Sequence, residues 1–349
     1  MIAAGVVLFT APTAVVPVAV PSTVVQLGVL VGTVLGLWAG ARLLVDSAVR
    51  LARRAGLSDL VVGLTVVAIG TSTPELVVSL DAALAGAGEI TVANVVGSNI
   101  YNLAFILGVV SLVRMIPVER SLVHRDGLAL VVTTLAGVAA MADLRVSRVE
   151  GLLFVGSLVG YTWYLIRSGS SPETDGGGGG GGEGRAAAES APFDAERDSS
   201  SVRDVATLVV GLAVVLVSGH FMVEAATELA LAAGISQWVV GGTIVAAGTS
   251  TPEFAVSLVA MRRGSVGVSV GNVVGSNVFN MVGVLGLAAV VRPLSVPAAA
   301  LESVAWLTVL VVVMVAALWS GRKLSRAEGG LFALSEILRW ILGLSGIVG

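Results

Sequence analysis

Two copies of one acidic motif carry the densest chemistry in this 349-residue chain. Gly70-Thr71-Ser72-Thr73-Pro74-Glu75 returns as Gly248-Thr249-Ser250-Thr251-Pro252-Glu253. Asn94-Val95-Val96-Gly97-Ser98-Asn99 returns as Asn272-Val273-Val274-Gly275-Ser276-Asn277. A single offset of 178 residues serves both motifs without a gap. The same offset sets Asn102 over Asn280, Ser79 over Ser257, Gly63 over Gly241, Asp46 over Glu224, Arg42 over His220 and Gly56 over Gly234. Such a register marks a duplicated domain rather than two chance matches.

Each hexapeptide sits in apolar sequence. Proline inside a helix removes one donor and clashes with the carbonyl four residues back. That predicts freed carbonyls around Ala68, Gly70 and Thr71, and around Ala246, Gly248 and Thr249. In hydrocarbon such groups must be satisfied internally or line a polar cavity. A carboxylate near a membrane-helix centre costs about 2.5 kcal/mol or more, so Glu75 and Glu253 at matched positions beside helix breaks read as cation ligands. The competing reading is a protonated glutamate, or one bridged to an arginine. Only Arg42 and Arg339, near helix ends, are expected to be free for that. Ser98 with Asn102, and Ser276 with Asn280, are four apart and share a helical face. They add hydroxyl and amide oxygens, although small and polar residues also glue membrane helices without binding anything. The combined set is hard oxygen, which suits Ca2+ in a flexible shell of six to eight ligands and also suits Na+. Mg2+, which dehydrates reluctantly, fits less well.

The elements that position these residues must lie in lipid. The chain is 56% hydrophobic and 12% charged, with mean hydropathy +0.96; a soluble domain would carry about a quarter charged residues. No cysteine is present, which excludes disulfides and thiolate sites, and two histidines make a histidine-rich metal site a poor reading. Ten spanning helices are expected near 25–48, 60–85, 90–112, 127–143, 150–166, 204–228, 238–260, 266–290, 300–319 and 329–348. They form an all-α polytopic membrane protein of two five-helix repeats, 23–167 and 203–349. Residues 1–22 form an apolar N-terminal extension broken by Pro12, Pro17 and Pro21. Residues 168–202, Gly-rich and acidic, read as a flexible solvated tether. Fifteen of the twenty basic residues fall in one set of alternating loops, against Arg145, Arg148 and Arg292 in the other. The positive-inside rule therefore puts the tether in the cytoplasm and both termini outside. An odd number of helices per repeat inverts the second half relative to the first, a common transporter plan with binding at the midplane. Asp46, Glu224 and Glu228 are expected to pair helices at their ends, and His220 to pack locally.

Both motifs, doubled and in order, resemble those of the calcium/cation antiporter superfamily, in its prokaryotic sodium/calcium exchanger branch. The resemblance covers about 25–349 apart from the tether. It implies a ten-helix inverted repeat whose helices two, three, seven and eight form the ion-binding core, with helices one and six as a sliding gate bundle. It further implies that Glu75 and Glu253, with the carbonyls of Thr71 and Thr249, coordinate Ca2+. Ser72, Ser98, Ser250 and Ser276, with the carbonyls of Ala68 and Ala246, would line flanking Na+ sites, and Asn102 and Asn280 would sit at the centre. The expected partners are Ca2+, Na+ and the lipid bilayer, with no cofactor and no nucleic acid; oligomeric state stays open. Many relatives carry aspartate where this chain has Asn280, which makes K+ dependence less expected. The proton-coupled branch carries a Gly-Asn-x-x-Glu break, which this chain lacks. H+- or K+-coupled antiport is thus the alternative to Na+/Ca2+ exchange. A serine hydrolase is disfavoured because neither histidine stands beside a serine motif to act as base. A channel is disfavoured because a single-file pore gains nothing from inverted halves.

Overall fold

The computed structural model describes residues 23–117, 122–168, 197–232, 246–298, 300–321 and 323–344. The first half contains α1 (Thr23–Ala55), α2 (Asp59–Thr71), α3 (Thr73–Ala85), α4 (Gly88–Val113), β1 (Ile116–Pro117), α5 (Leu128–Met141), β2 (Arg145–Val146) and α6 (Arg148–Ser168). The second half contains α7 (Arg197–Ala232), α8 (Ala246–Thr249), α9 (Thr251–Arg262), α10 (Val266–Val291), β3 (Leu294–Ser295), α11 (Ala300–Gly321), β4 (Lys323–Leu324) and α12 (Arg326–Leu344). Among the described residues, six helices are long and apolar enough to cross a membrane, or seven if α2 and α3 count as one bent span. With Val24, Leu35, Leu153, Val159, Val202 and Leu331 all facing outward, the chain is a multi-pass membrane protein.

Burial divides these helices into two kinds. α4 and α10 lie mostly inside the protein, while α1, α6 and α7 present most of their surface outward. Val95, Ile100, Leu103, Val273, Val278 and Leu285 of the two inner helices anchor the main apolar core. Glycine allows α10 to touch α2 backbone to backbone. A Cβ on Gly271 would stand 2.6 Å from the Leu60 carbonyl oxygen, and one on Gly275 would stand 2.6 Å from that of Leu64. Small residues permit such close approach where helices meet in membranes. α1 crosses α7 in the same way, with Gly211 against the Leu44 amide and the Gly40 carbonyl.

Each inner helix contains a π-helical turn at the equivalent place, Tyr101–Ile106 and Phe279–Val284. α3 ends at Gly86, whose φ of 83° is the left-handed closure that a side chain would disfavour. Two short antiparallel ribbons join the halves, pairing β1 with β4 and β2 with β3. Two matching capping boxes start α6 and α12. The Ser147 amide donates to Glu150 Oε2 at 2.7 Å, and the Ser325 amide donates to Glu328 Oε2 at 2.8 Å.

Several boundaries differ from the sequence reading. The expected span 60–85 is two helices meeting at 47°. Pro74 does not interrupt a continuous helix; it sits in the first turn of α3, where a missing amide hydrogen leaves nothing unpaired. The span expected over 238–260 is seen from Ala246 and restarts at Thr251, while 238–245, including Gly241, lies outside the described residues, as do Gly234, the extension 1–22 and tether residues 169–196. The last six residues read as tether, from Arg197, already belong to α7.

Candidate ion-binding site

The helix restart is what places the acidic residues. Ser72 stands at the junction of α2 and α3 with φ −82° and ψ 14°, and Ser250 takes nearly the same values, −89° and 10°. Glu75 and Glu253 therefore fall in the first turn of a new helix, where an unsatisfied backbone and the helix dipole favour negative charge. Both side chains are fully buried, with no exposed surface.

Each glutamate is held by a serine from the other half. Ser72 Oγ donates to Glu253 Oε1 at 2.7 Å, and Ser250 Oγ donates to Glu75 Oε1 at 2.8 Å. Thr71 and Thr249 immediately precede these serines, and each carboxylate is bonded across the interface between the halves. The second oxygen of each, Glu75 Oε2 and Glu253 Oε2, is buried and has no hydrogen-bond partner. A carboxylate oxygen in that condition is far from satisfied, and a dehydrated cation between the two would satisfy both.

The remaining expected ligands gather around this pair unevenly. Ser276 Oγ lies 3.5 Å from both Glu253 Oε1 and the Ala68 carbonyl oxygen. Asn280 Nδ2 donates to Ser98 Oγ at 3.2 Å, bridging the halves. Asn102 is fully buried, and neither its Oδ1 nor its Nδ2 has a partner. The Thr71 hydroxyl donates to Asn272 Oδ1 at 3.0 Å. Ala246 contributes the first described turn of α8.

Two expectations need correction. Carbonyls near the break are less free than the sequence suggested: Ala68 accepts the Ser72 amide at 3.0 Å, and Gly70 accepts the Thr73 hydroxyl at 2.8 Å. A carbonyl oxygen has two lone pairs, and the Ala68 carbonyl also lies 3.4 Å from Thr71 Oγ1 and 3.5 Å from Ser276 Oγ. Arg339 is not free either, since its guanidinium is bidentate with Glu336 at 2.8 and 2.6 Å. Arg42 stacks on Trp38, 4.4 Å from the ring centroid. Helix pairing at Asp46 and Glu228 takes the expected form, through Arg263 and Gln26 respectively. His220 meets the Phe221 ring edge-on at 5.4 Å. Residues that the sequence reading quoted without a role also enter the site: Asn94 and Asn272 bond the backbone of the glutamates, and Asn99 Nδ2 donates to the Asn277 carbonyl at 3.2 Å. Their only signal was membership of the duplicated motif.

Residues 25–167 and 204–335 match the family described as sodium/calcium exchanger protein. The chain belongs to this family. It is 34% identical over 281 residues to the sodium/calcium exchanger MaX1 of Methanosarcina acetivorans, covering 74% of this chain and 80% of that protein. It is 34% identical over 271 residues to the inner membrane protein YrbG of Escherichia coli, covering 76% and 79%. Its fold matches the sodium-calcium exchanger NCX_Mj with a TM-score of 0.77 at 27% identity, over 93% of this chain and 98% of that one. Membership in the sodium/calcium exchanger family makes the chain a membrane transporter of the cation/Ca2+ antiport kind, with Na+ and Ca2+ as the family's ions and no cofactor implied.

Proposed function

We propose that this exchanger couples Na+ movement to Ca2+ movement in the opposite direction by alternating access, through one central site built from both halves. The observation that carries the reading is the reciprocal Ser72–Glu253 and Ser250–Glu75 pairing, which leaves one unpartnered oxygen on each buried glutamate. Two carboxylates balance one divalent ion. Glu75 and Glu253 take Ca2+ with the carbonyls of Thr71 and Thr249. Ser72, Ser98, Ser250, Ser276, Ala68 and Ala246 serve flanking Na+ positions, and Asn102 and Asn280 stand at the centre. Competition for shared oxygens couples the two fluxes, because two negative charges balance one Ca2+ or a small set of Na+, not both at once.

The architecture we infer is ten helices in two inverted repeats, with bent α2–α3, α4, interrupted α8–α9 and α10 around the ions. The ribbons support inversion. The loop after α4 in the first half pairs with the loop after α11 in the second, and the loop after α5 pairs with the loop after α10. Consecutive loops of an up-and-down bundle lie on opposite faces, so this exchange is what halves entering the membrane from opposite sides would produce. Neither ribbon includes α1 or α7. These two clasp each other through Arg50 and Asp204 at 2.8 Å and through Gln26 and Glu228, which suits them to move together against the remainder. With most basic loop residues on one side, the tether is placed in the cytoplasm and the termini outside. Asn280 in place of an acidic residue keeps the centre at two carboxylates, which favours Na+ over H+ or K+ as the coupling ion.

The test is calcium-45 uptake into proteoliposomes under separate Na+, H+ and K+ gradients. Uptake driven by an outward Na+ gradient alone is expected. Uptake that follows only H+, or that requires K+, would overturn the choice of coupling ion.

A further inference from the structure

We propose that Asn94 and Asn272 are positioning residues that fix the height and rotation of the two glutamate-bearing turns; this rests on the reading of Glu75 and Glu253 as ligands. Asn94 Nδ2 donates to the Glu75 carbonyl at 3.1 Å and to Ser79 Oγ at 2.9 Å. Asn272 Nδ2 donates to the Glu253 carbonyl at 3.2 Å and to Ser257 Oγ at 2.9 Å. One turn further along, Thr91 Oγ donates to the Ser79 carbonyl at 2.9 Å, and Ser269 Oγ donates to the Ser257 carbonyl at 2.8 Å. The same four-residue zipper thus ties α3 to α4 and α9 to α10, at positions 178 residues apart.

The zipper grips the backbone of the ligand residue itself. A helix can roll or slide against its neighbour while keeping apolar contacts, because lipid-facing and core side chains are similarly apolar. An amide bonded at once to the glutamate carbonyl and to the hydroxyl one turn later leaves neither freedom. Asn272 does more. Its Oδ1 accepts from Thr71 at the opposing break, so a single side chain joins the Glu253 backbone of one half to the residue preceding Ser72 in the other. Ser72 in turn holds Glu253 Oε1. The resulting ring passes from Glu253 through Asn272, Thr71 and Ser72 back to Glu253, and it sets the separation of the two breaks. Placement to within about 0.5 Å matters for a ligand constellation. Ca2+ depends on both carboxylates, so loosening this ring weakens Ca2+ more than Na+.

The test compares Asn272→Ala, Asn94→Ala, Ser257→Ala and Glu253→Gln with the unaltered protein, by calcium-45 binding to purified protein and by Na+ competition. Asn272→Ala is expected to raise the half-saturating Ca2+ concentration about tenfold, equal to about 1.4 kcal/mol, with a smaller change for Na+. Asn94→Ala, in the less buried half of the zipper, shifts it in the same direction by less. If Asn272→Ala does not fold, Ser257→Ala, which keeps the bond to the Glu253 carbonyl, and Asn94→Ala decide. A shift in the Ca2+-to-Na+ ratio for Asn94→Ala larger than for Ser257→Ala supports positioning. Lower thermal stability with an unchanged ratio in every folded variant means that the zipper only packs helices, and the proposal falls. Glu253→Gln separates the two readings: wild-type binding there defeats the ligand assignment itself, whereas lost binding there with unchanged asparagine variants defeats the positioning role alone.

Discussion

The two halves agree where the ions would sit and disagree where helices are clasped. At the breaks, Ser72 and Ser250, Glu75 and Glu253, and Asn94 and Asn272 form bonds that superimpose partner for partner, with distances matching within 0.1 Å. At the ends of α1 and α7 the same symmetry relates different chemistry. Asp204 receives two arginines, Arg50 at 2.8 Å and Arg54 at 3.0 Å, while the equivalent place holds the amide of Gln26 against Glu228. Deeper in, Asp126 is gripped by Arg125 and Tyr161, yet the equivalent positions are Val304, Ser303 and Arg339, the last of which serves Glu336. Duplication supplied two copies of everything. The bonds at the breaks kept both copies alike, because two opposed access routes need the same site, whereas a clasp need only hold.

The largest expected effects test the matched region. Glu75→Gln and Glu253→Gln should each abolish Na+-driven calcium-45 uptake in proteoliposomes; wild-type uptake by either would break the equivalence. Next, in the clasped region between α1 and α7, comes Gly211→Val. Its Cβ would stand 2.6 Å from the Leu44 amide nitrogen, a backbone atom that cannot yield, so overpacking of about 1–3 kcal/mol or more is expected. Slowed exchange and a lowered melting temperature are the readouts.

The fold was legible in proportion to how much of it is local. Apolar length marked the outer helices, and duplication located the glutamates, serines and asparagines. The cross-pairing was not legible: nothing in Ser72 says that its hydroxyl serves Glu253 rather than Glu75. Pro74 fits either an interrupted helix or a new first turn, and the structure shows the second. The ribbons were invisible because two-residue strands such as Ile116–Pro117 have no periodicity, and their pairing is entirely long-range. The Arg339–Glu336 pair was missed although the residues are three apart, because charge alone does not reveal that both face inward.

Smaller effects sharpen the unmatched region. Asp204→Asn leaves two arginines without their carboxylate and should cost about 1–2 kcal/mol of stability; Glu228→Gln, across the symmetry, should cost less. Equal losses would show that the clasps are equivalent after all. Within the site, Asn280→Ala forfeits its bond to Ser98 and should cost about 1 kcal/mol in ion-free buffer, while Asn102→Ala, which gives up no bond, should be near neutral. Thermal melts without Na+ and Ca2+ separate them. Least of all, deleting 172–194, short of the start of α7, should leave Na+-driven uptake at the wild-type rate, and loss of folded protein would contradict the tether reading.

The central claim is that one cation is shared by carboxylates from both halves. Equilibrium calcium-45 binding to purified Glu75→Gln, Glu253→Gln and the double variant tests it most directly. One shared site predicts that either single change removes high-affinity binding completely and that the double adds nothing. Two independent sites would leave each single variant with half of the bound Ca2+, and that result would contradict the account.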